Sequence, residues 1–164
     1  LSLVDGDAII WVGKADGQRV GFRYDPDMGH AARLSCTSTG HAWLMTMTDE
    51  QAVALVIKQG FGQPNEFGPN APTTIKALLG FLHAARVRGY AMIDEVFAPR
   101  MSAVAVPVVS GSRCVGVISL AGPRVRLTAE KIHEYSVPLR EAANELAQLS
   151  NMAGFPGRPP LGKG

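Results

Sequence analysis

Thr37, Ser38, Thr39 and Gly40 stand in a row directly ahead of an apolar helical run, inside the stretch MGHAARLSCTSTGHAWLMTM from Met28 to Met47. Small hydroxyl residues suit a helix N-cap, the first backbone N–H groups of a helix lack internal partners, and the helix dipole favours negative charge at that end. A carboxylate can dock on such an arrangement. An ordinary capped helix start uses the same residues, so the cluster needs the rest of the chain to give it meaning.

Other residues that could do chemistry are scattered. His30, Cys36 and His41, with His83 and His133 further on, match no metal-ligand spacing, so they are read as surface or capping histidines and no metal is expected. Asp94 and Glu95 are adjacent, which in a strand sends them to opposite faces and spoils them as an acid and base pair. Ser35 carries no nucleophile-elbow signature. Cys36 and Cys114 form no CxxC motif and read as reduced thiols. The chain is therefore expected not to be an enzyme, and no cofactor is expected.

With 164 residues and 46% hydrophobic content, the chain can bury one core and is too short for two. A formal net charge of +2 gives no basic stripe of the kind that grips nucleic acid alone. No apolar run approaches a membrane span, and the opening LSLVDGDAIIWV has no basic region ahead of a cleavage site, so a cytoplasmic protein without membrane contact is expected. Leu1 in place of a start methionine, with a strand beginning almost at once, suggests a domain cut from a longer polypeptide.

The elements that must position these residues follow from periodicity. Ala8 to Val12 and Gln18 to Tyr24 flank Asp16-Gly17 and predict a hairpin, with Val20, Phe22 and Tyr24 on one face. A helix is expected from after Gly40 to about Met47. A second starts at Thr48, where Thr48 and Gln51 have capping-box spacing, and ends at Gly60 with Ala52, Val53, Leu55, Val56 and Ile57 as a broad buried stripe. Residues 60–72 are rich in Gly, Pro and Asn and form a loop, a candidate lid. A third helix covers about Thr74 to Arg88, with Ile75, Leu78, Leu79, Leu82 and Ala85 on one face and Gly89 as its stop.

Beyond Gly89 the period becomes extended. Tyr90 to Val96, Ser102 to Val109 and Arg113 to Ala121 read as strands, the last two joined by Ser110-Gly111-Ser112, and Pro107 asks for an edge or a bulge. A final helix begins at Thr128 with Leu127 and Ile132 as a hydrophobic staple. Its seam is Ile132, Tyr135, Leu139, Ala142, Leu146 and Leu149, with Pro138 inside it. Residues 153–164 have the composition of a flexible Pro- and Gly-rich tail, leaving one domain over residues 1–152. Strands and helices grouped in this order predict an α+β plan with an antiparallel sheet, one face of which can be left for a pocket or a partner.

Three segments carry a resemblance. CTSTGHAWL is similar to the region reading approximately hatAlGKAlLA in the effector-binding domain of the IclR family of bacterial transcription regulators. VRGYAMIDEVFAPRMSAVAVPVV resembles the family's Arg-x-x-Gly-Tyr segment and the alternating strand after it. VGVISLAGPRVRLTAEKI resembles its aaIsisGP strand, turn and final helix. The three occur in the family's order and, with the opening strands, span nearly all of residues 1 to about 152.

The resemblance implies a GAF-like, profilin-like antiparallel sheet flanked by helices. It implies a sensor for a small carboxylate, assembled as a homodimer or homotetramer, that controls DNA binding through a winged helix-turn-helix domain missing from this chain. Matching the motifs puts the carboxylate site at Ser38, Thr39 and Gly40, with His41 in place of the family's Lys. Ile93 then stands where members that bind a small polar acid have Asp, Ala103 where a Cys can line the site, and Ser119 and Ala121 at two positions that are Ser in such members. A pocket with polar groups replaced by apolar ones expects apolar surface on its ligand. With Phe22, Tyr24, Ile93 and Met101 as walls, the expected effector is a carboxylate with an aromatic or hydrocarbon body. The alternatives are a redox or metabolic enzyme on a GAF-like scaffold, and a ligand-free oligomerisation module.

Overall fold

A computed structural model describes residues 1–15, 28–63 and 65–152. The expected strand Gln18 to Tyr24, its Asp16-Gly17 turn, the wall residues Phe22 and Tyr24 and the tail 153–164 lie outside the described residues.

A hairpin opens the described chain ahead of the expected one. Ala8–Trp11 (β2) pairs with Ser2–Asp5 (β1), which the sequence analysis missed. The turn is Gly6-Asp7, and Gly6 supplies a φ of 58°, the left-handed conformation glycine adopts without steric cost. Asp5-Gly6 between two apolar runs carried the same signal as Asp16-Gly17.

Three helices follow. α1 is Ser38–Leu44, α2 is Asp49–Gln59 and α3 is Ile75–Arg88. α1 starts ahead of Gly40 and ends short of the expected Met47, because Thr37 is the true cap: its Oγ1 accepts the Gly40 N–H at 2.9 Å. The capping box of α2 forms as expected, Gln51 N–H to Thr48 Oγ1 at 3.3 Å and Thr48 N–H to Gln51 Oε1 at 3.1 Å. Its stripe is narrower than predicted, since Ala52 and Val56 are buried and Ile57 is 62% exposed. Thr74 caps α3 and Gly89 ends it with a φ of 80°. Leu78, Leu82 and Ala85 face the core, whereas Ile75 is 39% exposed.

The remaining strands are Ala91–Asp94 (β3), Met101–Ser110 (β4) and Arg113–Pro123 (β5), and the sheet is antiparallel in the order β2-β1-β5-β4-β3. Pro107 lies inside β4 without breaking it. Glu95 N–H donates to Met101 O at 2.8 Å, so alternation makes Met101, Ala103, Ala105 and Pro107 the residues whose backbone turns toward β3. β3 stops opposite Ala105, so the N–H that Pro107 lacks has no ladder partner to lose. The register shift that the sequence also allowed follows at Val108/Val109.

Helix α4, Ala129–Met152, returns across the opposite face, where Tyr90, Val104, Val106 and Val108 pack with Leu127, Ile132, Ala143 and Ala147. Its seam is rotated from the predicted one. Ser136, whose Oγ donates to His133 O at 2.7 Å, is buried in the place expected for Tyr135, and Leu149 is 59% exposed. Helices thus cover both faces of the sheet, at least in part, instead of leaving one bare. α1 and α3 pack on the face carrying Ile9, Ala91, Ala105 and Val117, with α2 adding Ala52 and Val56 to that core.

Candidate functional site

The strand register brings most of the predicted lining residues together. Ile93 pairs with Ala103 and Ala103 with Ala121, so the three form one row across β3, β4 and β5. Ser119, opposite Ala105, lies on the same face one step along, and Met101, opposite Pro123, one step the other way. Ile93, Met101 and Ala103 are buried, while Ser119 and Ala121 are partly open.

The segment leading into α1 arrives over this row. Cys36 shares one apolar cluster with Ile93, Val96 and Ala103. Thr37 then fixes the helix start twice, donating its hydroxyl to Arg33 O at 2.7 Å while accepting from Gly40. Gly40 is required for a packing reason as well, since a Cβ there would stand 2.5 Å from the Leu34 backbone. Ser38 and Thr39 are buried at 4% and 2% exposure, and their amides and hydroxyls have no hydrogen-bond partner among the described residues. Unengaged donors over an apolar floor can receive a carboxylate without first breaking an internal bond.

His41 corrects the expectation of a surface or capping histidine. It is 1% exposed, packs against the Phe81 ring at 5.2 Å between centroids, and donates Nε2–H to Ser35 O at 2.7 Å. Burial pulls its pKa down to about 4 against the opposing pull of that hydrogen bond, so the ring is neutral at neutral pH. No cation stands where the family pattern has its lysine. Burial likewise pushes the Cys36 thiol up to about 12 and the Cys114 thiol up to about 11, which holds both protonated and poorly nucleophilic.

Residues the sequence analysis missed complete the site. Phe67, Phe81 and Phe97 pack onto the Ile93–Ala103 cluster from two loops and a helix. The loop after α2 and the loop after β3 are joined main chain to main chain: Gly68 N–H bonds to Val96 O at 3.0 Å and Phe97 O at 3.1 Å, and Asn70 N–H to Glu95 O at 3.0 Å. Loop aromatics have no periodicity, so nothing in the sequence marked them.

Asp94 and Glu95 do not diverge as a continuous strand would require. β3 ends at Asp94 and Glu95 takes a φ of 52°, so both carboxylates reach Arg124, Asp94 Oδ1 to Nε at 3.1 Å and Glu95 Oε2 to Nη1 at 2.9 Å. They are an ion-paired corner. Among the described residues no group of three metal-ligating side chains comes together, and no helix is long and apolar enough to cross a membrane.

Residues 1–148 match the family described as Bacterial transcriptional regulator IclR C-terminal. The HTH-type transcriptional repressor AllR of Salmonella typhimurium is 23% identical over 148 residues, 90% of this chain and 53% of the repressor. The HTH-type transcriptional regulator BhcR of Paracoccus denitrificans is 28% identical over 151 residues, 90% of this chain and 52% of its own. The chain thus spans about half the length of the curated relatives it matches. Among solved structures, the Thermotoga maritima IclR superposes with a TM-score of 0.78 at 27% identity, covering 90% of this chain and 58% of that one. A double mutant of the inducer-binding domain of the PobR transcription factor from Acinetobacter, in complex with 3-hydroxybenzoic acid, superposes at 0.74 with 23% identity, covering 90% of this chain and 86% of that one.

Proposed function

The chain belongs to the family of bacterial transcriptional regulator IclR C-terminal domains, and from that membership we propose that it senses a small carboxylate with an aromatic or apolar body, assembles with copies of itself, and so modulates DNA binding by a helix-turn-helix domain outside this chain. The observation that carries the reading is the placement of the unengaged Ser38 and Thr39 donors at the start of a helix packed over the apolar Ile93–Ala103–Ala121 face. The carboxylate meets the α1 amides. Ile93, Met101, Ala103 and Ala121, with Ser119 as the polar exception, take the body. A double mutant of the PobR inducer-binding domain forms a complex with 3-hydroxybenzoic acid, an acid of this class.

The ligand acts by shifting populations. It alters DNA binding only to the degree that it binds one inter-subunit arrangement better than another. The joined loops carrying Phe67 and Phe97 border the row, so a ligand lodged there would bear on both.

Thermal unfolding with aromatic carboxylates, branched acids and small keto acids tests the reading. A true ligand at about a hundred times its dissociation constant adds roughly 2.7 kcal/mol, raising Tm by about 5 to 10 °C. The expected shift is confined to acids with an apolar body. It is lost in Ser38→Pro, which deletes one amide at the helical position that tolerates proline best. The packing of Phe67, Phe81 and Phe97 onto Ile93 and Ala103 favours a second reading, a filled site in a domain that only assembles. Absence of a shift with every acid would favour it.

A further inference from the structure

The two edges of the sheet are treated differently. Outside β2 the chain returns along it, with Ala32 N–H bonded to Ile9 O at 2.8 Å and Gly29 N–H to Trp11 O at 2.9 Å. Outside β3, among the described residues, no strand follows. The same alternation that turns Ile93 toward β4 turns the Met92 N–H and C=O and the Asp94 N–H outward. β3 reads Ala-Met-Ile-Asp, without lysine, proline or bulge, and its edge is met by a loop at one end, where Asn70 Nδ2–H donates to Asp94 O at 3.0 Å; the Met92 N–H and C=O and the Asp94 N–H remain without a backbone partner among the described residues.

An open groove of about 650 Å³ lies at this edge, with Ala77, Gly80, Phe81, Ala84 and Arg88 of α3 on one side, Met92 and Asp94 on the other, and Asn70 in its lining beside Asp94. Three of the α3 residues carry one side-chain carbon or none, and a Cβ built on Gly80 meets nothing within 4 Å. The groove therefore has room for a backbone. Its charged groups are half-used. The Arg88 guanidinium lies over the Tyr90 ring at 5.7 Å, and its buried Nε has no partner among the described residues. Ser102 and Arg124 both bind Oδ1 of Asp94, leaving its Oδ2 unengaged among the described residues.

We propose that this edge pairs with β3 of a second copy of the chain, antiparallel about a twofold axis at Ile93, giving the assembly part of the proposed function a definite surface. The outward bonds then set Met92 opposite the partner's Asp94. Tyr90, Met92 and Asp94 alternate onto one face, so the partner's Asp94 arrives on the side where Arg88 lies over Tyr90. The contact repeats by symmetry, as an isologous interface requires, and each unpaired Arg88 finds an unpaired carboxylate oxygen. A peptide of other origin would satisfy the edge but would not return the charge pair twice.

Sedimentation velocity on the whole chain from low to high micromolar concentration is the test, with folding of each variant checked by its Tm. The wild type is expected to dimerise. Gly80→Arg, which fills the groove from a position with open space, and Arg88→Glu or Asp94→Lys, which set like charges together, are each expected to weaken association about tenfold or more. Arg88→Glu mixed with Asp94→Lys restores it, because both charge pairs are then opposite in sign. A monomeric wild type would overturn both this surface and assembly through this domain. Association untouched by the folded variants, or a mixture no tighter than either variant alone, would overturn the surface and leave assembly and the effector reading standing.

Discussion

Gly40 lies against the backbone of Leu34 so closely that an added Cβ would be 2.5 Å from both the Leu34 Cα and its carbonyl oxygen. α1 therefore depends on a missing side chain for its seat on the sheet. Gly40→Ala is expected to destabilise the domain by about 2 kcal/mol or more, read by urea unfolding. Gly80→Ala is the contrast: it sits within α3 in open space and should gain about 0.5 to 1 kcal/mol. Equal stabilities for the two variants would be incompatible with the packing of α1.

His41 makes stability depend on pH in a definite direction. Its folded pKa is about 4 and its ordinary value 6.5, so between these the unfolded chain binds the extra proton. The contribution is constant above 6.5 and declines as pH falls toward 4, by about 3 kcal/mol in all. His41→Gln should flatten the stability profile across that window. Asp49, held below its ordinary range by Arg86 and His83, loses its contribution only at more acidic pH. An unchanged slope between pH 6.5 and 4 in the variant would show that His41 is not the group responsible.

Arg86 ties three elements together. Its Nε donates to Met45 O at 3.1 Å, Nη2 to Met47 O at 2.9 Å, and Nη1 to Asp49 at 2.6 Å. Arg86→Ala should cost about 1 to 3 kcal/mol, and Arg86→Lys should recover only part, because an ammonium cannot span acceptors set out for a planar fork. Full recovery by lysine, in equilibrium unfolding, would mean that charge alone matters there.

Gly68 passes so near the backbone of Glu95 that a Cβ would overlap it. Gly68→Ala should therefore pull the two loops apart, and brief proteolysis should cut residues 60–72 faster than in the wild type. If cleavage is unchanged, the loops are not held by this approach.

The caps and the Ser110-Gly111-Ser112 turn were legible because each depends on residues close in sequence. Thr48 with Gln51 wrote its own box, and two separate motif matches, one over Ile93 and Ala103 and one over Ala121, named residues that the strand register sets in one row. Burial was harder to read. Ile57 and Leu149 have the right hydrophobicity and face solvent, while Ser136 and His41 are polar and buried because local carbonyls accept their protons. The convergence of Asp94 and Glu95 on Arg124 turns on one left-handed residue, and neither composition nor period encodes it.

The backbone bonds joining Gly68 and Asn70 to the Glu95–Phe97 segment have a consequence for time as well as for shape. Two loops fastened by their amides open together or not at all. A molecule lodged over the Ile93–Ala103–Ala121 row would then leave at the frequency of that joint opening, so its residence could be long even where its own contacts are few. Deuterium uptake at the Gly68 and Asn70 amides would keep the same clock.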